Sequence, residues 1–274
     1  MMSDPSIESL PTRRLRIDTS TEENVCDDVA REEPLEIRVE GRAVAVVMRT
    51  PGHDEELVAG FLITEGVVQR RQDILEITQC PNTTEDARGN VVDVLLGAVV
   101  VEWESLTRHV FSASSCGICG KTSIESVFQR FAPVTAEWQI PATLLATLPD
   151  KLRAAQETFS KTGGLHASAL FDLDGNLLVL REDVGRHNAL DKVLGWAMQN
   201  DLLPLDRHLL MVSGRVSFEI MQKALAGGIP LIAAISAPSS LAVQFAEEGG
   251  QTLAGFVRGQ TMNLYTHPER VRLG

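Results

Sequence analysis

His166-Ala-Ser-Ala-Leu-Phe-Asp-Leu-Asp-Gly-Asn-Leu-Leu-Val-Leu-Arg-Glu-Asp-Val-Gly-Arg-His-Asn-Ala-Leu-Asp-Lys192 is the stretch on which the fold turns. Its first residues are an apolar run of strand length. Asp174-Gly175-Asn176 then supplies turn chemistry, and a second run over 177–181 completes a hairpin. From 187 the period changes: Leu190, Val193 and Leu194 fall on one face of a helix over 187–199. Downstream, strand-like runs at 208–213, 230–235 and 253–258 alternate with helical patterns at 216–226 and 239–248. A hairpin followed by repeated strand-helix units predicts a three-layer α/β domain with a mainly parallel sheet.

Upstream the pattern is different. Pro149 to Thr162 reads as a helix ended by Gly163-Gly164, and Pro133 and Pro141 mark a linker before it. Leu35 to Val39 and Ala43 to Arg49 flank Glu40-Gly41-Arg42 as a β-hairpin. A helix carrying Leu57, Ala59, Phe61 and Leu62 follows, with His53-Asp54-Glu55-Glu56 as its first turn and Gly66 as its stop. Strand-like runs at Ile74 to Thr78 and Val91 to Val101 complete a small α+β unit, and Ile124, Val127, Phe128 and Phe131 give a further helical pattern. The residues before Pro34 show no period. The expected division is a mobile arm over 1–33, an α+β unit over 34–132, and an α/β domain over 133–274.

With 274 residues, 44% of them hydrophobic, the chain can bury a full core. A formal net charge of −12 argues against binding to nucleic acid, whose phosphates require clustered Lys and Arg. No charged leader followed by an apolar run and no long apolar stretch is present, so neither secretion nor a membrane span is expected. Four cysteines, Cys26, Cys80, Cys116 and Cys119, are too few for a disulfide scaffold and fit a reducing cytosol.

Cys116-Gly-Ile-Cys119 lies in a small, Gly-rich loop just before a helical pattern, with Lys121 beside it. Amide N–H groups at a helix start and a neighbouring cation both favour the thiolate, the form of cysteine that reacts. The plainer alternative is half of a zinc clip, but no second Cys-x-x-Cys completes four ligands. His53-Asp54-Glu55 followed by Cys116-x-x-Cys119 also reproduces the order of ligands and acid/base in zinc deaminases, although Ser115 stands where those enzymes place proline.

Ser213-Gly214-Arg215 and Ala237-Pro238-Ser239-Ser240 each follow a strand and open a helix, the position at which anions bind α/β sheets. Helix capping by serine is the competing reading. Asp183-Val184-Gly185-Arg186-His187-Asn188 forms a third polar cluster. There His187 and Asn188 either cap a helix or meet a ligand, and His166 is either a core histidine or a ligand contact. Phe256-Val257-Arg258-Gly259-Gln260-Thr261 brings an aromatic, an arginine and a glycine together after a strand, which suits a nucleotide or a plain surface turn.

Taken in order, Thr50-Pro-Gly-His-Asp-Glu-Glu-Leu-Val-Ala-Gly-Phe-Leu, Ser115-Cys-Gly-Ile-Cys-Gly, Thr162-Gly-Gly-Leu-His-Ala, Arg181-Glu-Asp-Val-Gly-Arg-His-Asn-Ala-Leu-Asp-Lys and Ser213-Gly-Arg-Val-Ser-Phe-Glu strongly resemble the formate dehydrogenase accessory sulfurtransferases of the FdhD/NarQ family. The resemblance implies a cytoplasmic homodimer with a cytidine-deaminase-like α/β domain. In that reading Cys116, on a mobile loop, accepts sulfur from a cysteine desulfurase as a persulfide, and Cys119 assists or is dispensable. The sulfur goes to Mo-bis(molybdopterin guanine dinucleotide), bound as substrate and destined for formate dehydrogenase, with no resident metal. The segment Phe256 to Thr261 would hold that cofactor by resemblance. Ser213, Arg215, Ser239, Arg186 and His187 are assigned to it from their expected place on the sheet. A zinc deaminase and a noncatalytic cofactor chaperone remain the alternatives.

Overall fold

A computed structural model describes residues 4–80, 89–103, 106 and 130–273. Cys116, Cys119, Lys121 and most of the helical pattern at 124–131 lie outside the described residues.

The chain begins with β1 (Ile7–Arg16) and β2 (Thr21–Ala30), paired antiparallel through ten residues each. The expected mobile arm is thus a hairpin. Its period lies in charge rather than in apolar residues, with Arg13 reaching Glu22 and Arg14 reaching Glu23 across the strands. Next come β3 (Glu33–Val39), β4 (Arg42–Arg49), α1 (Asp54–Thr64), β5 (Ile74–Gln79) and β6 (Val91–Leu96), whose strands form a sheet in the order β4-β3-β6-β5. β6 stops at Leu96, short of the expected Val101, because Gly97 follows and no ladder continues beyond it. α1 is buried from Glu56 to Thr64, so it is an interior helix rather than one with a single apolar face.

The remainder comprises β7 (Ile140–Pro141), α2 (Ala142–Ala155), α3 (Glu157–Thr162), β8 (His166–Phe171), β9 (Leu177–Asp183), α4 (Arg186–Gln199), β10 (Leu209–Val212), α5 (Phe218–Ala226), β11 (Leu231–Ala234), α6 (Ser240–Glu248), β12 (Thr252–Arg258), β13 (Thr261–Thr266) and β14 (Val271–Arg272). Six strands make one sheet in the order β13-β12-β11-β10-β8-β9. The expectation of a mainly parallel sheet is corrected. Only β10–β11 and β11–β12 run parallel, because only those pairs are joined through a helix; the β8–β9 and β12–β13 hairpins and the β8–β10 contact are antiparallel. The helix expected from Pro149 instead starts at Ala142 and carries Pro149 inside it. An interior proline disfavours a helix by ~3 kcal/mol; here Leu145, Leu148 and Leu152, all fully buried, offset that by packing on the sheet.

Side chains alternate across the six-stranded sheet. Leu209, Met211, Leu231 and Ala233 face α2. Leu210, Val212, Ile232 and Ala234 face the helical layer of α4, α5 and α6, which gives the three layers. The boundary expected near residue 133 does not separate two cores: Leu35, Ile37, Leu57 and Leu62 of the N-terminal unit belong to the same apolar cluster as Leu190 and Val193 of α4. α1 and α4 meet through glycine. A Cβ on Gly60 would lie 1.8 Å from the Asp191 carbonyl oxygen, and one on Gly195 would lie 1.8 Å from that of Glu56.

Candidate functional site

Because β8 runs antiparallel to β10 and to β9, the start of β8, the end of β9 and the ends of β10 and β11 all open onto one edge of the sheet. That edge gathers the polar clusters. Ser213 continues the ladder of β10: its amide donates to the Ala167 carbonyl at 2.9 Å and its hydroxyl accepts from the Ala167 amide at 2.8 Å. Gly214 then leaves room for a ring, since a Cβ there would stand 3.1 Å from His166 Nδ1 and 3.9 Å from Arg186 Cβ. His166 and Arg186 therefore flank the Gly214 backbone, with exposed Arg215 next in the chain.

Arg186 and His187 open α4 behind Gly185, whose side lacks any capping group. Arg186 Nε is buried with no hydrogen-bond partner among the described residues. The carboxylates nearby are already engaged. Asp183 is fully buried and receives Lys192 Nζ at 2.7 Å, the Thr50 amide at 3.1 Å, the Gly185 amide at 2.8 Å and the Asn188 amide nitrogen at 2.9 Å. Glu219 accepts from the Ser217 hydroxyl at 2.8 Å and pairs with His187 Nε2 at 3.3 Å. The hydrogen bond to His187 leads in holding its carboxyl down to about 2, against its burial. His166, half-buried, is held below the ordinary histidine value, first by burial and then by Arg186 and His187; Asp183 opposes and Arg215 adds to the lowering. In a chain with net charge −12, this edge is cationic.

The loops after β10 and β11 are joined by a bridge between Val216 and Pro238, and the Ser239 amide donates to the Val216 carbonyl at 2.9 Å. Ser239 caps α6, its hydroxyl accepting from the Ala242 amide at 3.2 Å, so the capping reading holds for that residue. Beside this loop the end of β12 bulges. Phe256 takes φ 51°, its amide donates to Ser236, and its side chain is exposed. Arg258 Nε donates to the Ile235 carbonyl at 2.8 Å with its guanidinium 5.5 Å from the Phe256 ring centre. Gly259 and Gln260 make the exposed turn into β13, and the Thr261 hydroxyl closes it on the Arg258 carbonyl. Val257 buries its side chain fully in the apolar cluster facing α2, so only its backbone is left to meet a ligand.

The edge thus brings together Ser213, Arg215, Arg186 and His187 at one end and Ser239 with the Phe256 to Thr261 turn at the other. Ser217 and Glu219 were missed as partners of His187, although both lie in the Ser213 to Glu219 motif and their two-residue spacing at a helix start was the available signal. His53 sits on the surface at the start of α1, 3.6 Å from Glu56, which is itself bidentate to Arg181. Among the described residues no group of three or more His, Cys, Asp or Glu is placed to hold a metal ion, and no helix is long and apolar enough to cross a membrane.

A sequence model of the FdhD/NarQ family matches residues 30–272. The chain is 52% identical over 253 residues to a Mycobacterium tuberculosis protein named sulfur carrier protein FdhD, covering 89% of this chain and 92% of that one. It is 52% identical over 258 residues to the protein of the same name from Streptomyces coelicolor, covering 90% of each. In structure it is similar to a Desulfotalea psychrophila protein provisionally assigned as a formate dehydrogenase accessory protein, with TM-score 0.77, 25% identity, and coverage of 98% of this chain and 100% of that one.

Proposed function

The chain belongs to the FdhD/NarQ family, and from that premise we propose that it carries sulfur to a guanylated molybdenum cofactor on behalf of formate dehydrogenase. The observation that carries the reading, beyond the relatives' names, is the cationic sheet edge: Arg186, Arg215, His166 and His187 converge where the carboxylates are otherwise engaged. A substrate with two guanine dinucleotides brings diphosphates for such an edge and a purine for the exposed Phe256 ring beside Arg258.

Cys116 is the proposed carrier. Its thiolate attacks the outer sulfur of a cysteine desulfurase persulfide. An S–S bond forms on Cys116 while the desulfurase S–S bond breaks, and the desulfurase cysteine leaves as thiolate. The oxidation level of the moving sulfur is unchanged, so no further oxidant enters this step. Onward delivery to Mo-bis(molybdopterin guanine dinucleotide), assistance by Cys119, a homodimeric assembly and a cytoplasmic location belong to the same proposal.

Incubation with a cysteine desulfurase and cysteine, followed by mass spectrometry, tests it. One labile sulfur on the peptide containing Cys116, lost to reductant and absent from Cys116→Ala, supports the carrier. Dehydrogenase maturation that survives Cys116→Ala would favour a chaperone that only holds cofactor. A bound zinc with an activity requiring Glu55 would favour a deaminase.

A further inference from the structure

Four basic side chains meet at one edge of the six-stranded sheet, and their surroundings leave them short of negative charge. His166 and Arg186 flank the Gly214 backbone, where the absent Cβ would otherwise stand 3.1 Å from the His166 ring. Arg186 Nε is out of solvent and unpartnered among the described residues, and neither Arg186 nor Arg215 pairs with a described carboxylate. His187 turns Nε2 to Glu219 and Ser217, so its bond network fixes the ring rather than neutralising the arginines. A buried guanidinium nitrogen without an acceptor is disfavoured. An oxyanion lying beside Gly214 would supply the acceptor and the missing charge together.

We propose that His166, Arg186, His187 and Arg215 form a proton-linked oxyanion clamp, in which a phosphate group of the substrate enters beside Gly214 and His166 takes up a proton as the group binds. The identity of the natural ligand, a diphosphate of the guanylated cofactor, rests on the reading given above; the clamp itself rests on the geometry of this edge.

The proton coupling follows from what faces His166. Burial first, and then Arg186 and His187 on α4 with Arg215 in the loop after β10, disfavour its cationic form, while Asp183 at the end of β9 favours it. Asp183 is shared among Lys192, Asn188 and two backbone amides and has little left to give. A bound dianion screens the two arginines and offers an acceptor to the imidazole, so the ring becomes more basic in the complex than in the free protein. Linkage then requires that affinity rise as pH falls between the bound and free values, and level off below the free one.

Sulfate is the probe, because it remains a dianion across the neutral range and any proton taken up belongs to the protein. Isothermal titration calorimetry of the full chain, in two buffers of different ionisation enthalpy between pH 6 and 8, is expected to show uptake approaching about one proton per sulfate. His166→Gln should abolish the uptake while leaving saturable binding, and His187→Gln should retain the uptake. Arg186→Gln should weaken binding by about tenfold or more, the loss of one charge-assisted contact. Gly214→Ala, which displaces the ring without changing charge, should reduce the uptake. A guanine nucleoside diphosphate that competes for the same site more tightly than inorganic phosphate assigns the natural group to a nucleotide; equal competition assigns it to free phosphate and overturns the cofactor part of the proposal. Absence of saturable sulfate binding, or uptake undiminished in His166→Gln, overturns the clamp. Persulfide loading of Cys116 keeps the two proposals apart: a chain that loads sulfur without proton-linked binding loses only the clamp, and one that binds with uptake yet loads no sulfur loses only the carrier.

Discussion

Two clusters of charge lie a few residues apart in the same motif and are put to opposite uses. Along the joint between the N-terminal unit and the α/β domain, charges are matched and out of water: Lys192 with Asp183, Arg181 with Glu56, Lys223 with Asp191 and Thr64, and Arg49 with Asp54. At the sheet edge, Arg186 and Arg215 form no ion pair among the described residues, although the charge of Arg186 helps to lower the Glu219 carboxyl. A residue of the Arg181 to Lys192 motif therefore cannot be assigned a role from its type alone. The ions of the joint fix how the two units sit, whereas those of the edge would serve a ligand in the proposed clamp. The difference predicts that substitutions in the joint will be read in stability and substitutions at the edge in binding.

The largest expected effect is at the joint. Lys192 and Asp183 are at most 1% exposed, and Lys192 Nζ also donates to the Thr50 carbonyl at 2.9 Å. Lys192→Met leaves Asp183 buried without its counter-ion and should lower unfolding free energy by ~3–5 kcal/mol. Denaturant titration checks this; a loss below about 1 kcal/mol would mean that Asp183 is satisfied by its amide donors alone and that the joint is not ionic in substance.

Next is the helix crossing that the joint brackets. Gly60→Ala places a methyl group 1.8 Å from the Asp191 carbonyl oxygen, so α1 and α4 must separate, and a loss of about 3 kcal/mol is expected from overpacking. Thermal melting of the variant measures it. If the loss is small, the crossing is compliant, and the ion pairs rather than the close backbone contact set the joint.

At the edge the sign differs. Arg186→Gln removes a cation whose Nε has no hydrogen-bond partner among the described residues, so stability should stay within about 0.5 kcal/mol of the parent chain, while activation of formate dehydrogenase falls. A stability loss comparable to that of Lys192→Met would place Arg186 in the scaffold and erase the contrast between the two regions.

That contrast shows what the sequence made legible. The β8–β9 hairpin was readable because apolar runs flank Asp174-Gly175-Asn176, and the strand-helix units of β10 to β12 were readable because period 2 and period 3.6 alternate cleanly. β13 was not, since Thr261 to Thr266 is an edge strand with few buried residues. The β1–β2 hairpin was missed because its strands bury almost nothing and its regularity is electrostatic. That Arg186, His187, Ser213 and Arg215 come to one sheet edge was legible because each follows the end of a strand in an α/β sheet. Glu219, the second residue of α5, was marked only by its two-residue spacing from Ser217 at the helix start, and its pairing with His187 shows only once the fold sets the two together. Asp183 belongs to a polar cluster in the sequence, and only the structure shows it buried against Lys192.

Glu219 gives the smallest effect and the sharpest test of whether the edge is preorganised. Its carboxyl titrates at about 2 rather than 4.5, chiefly through the hydrogen bond with His187, with that of Ser217 helping and burial opposing. A depressed carboxylate stabilises the fold above its unfolded value and loses that contribution as pH falls through the folded one. The window is therefore from about pH 4.5 down to about pH 2. Because the side chain is 41% exposed, solvent screening keeps the contribution below about 1 kcal/mol. Stability profiles of the parent chain and Glu219→Gln should separate above that window, converge through it as pH falls, and draw together in high salt. Two profiles offset by a constant amount at every pH would show that Glu219 acts through packing. The ring of His187 would then be placed at the edge by the fold rather than held there by charge.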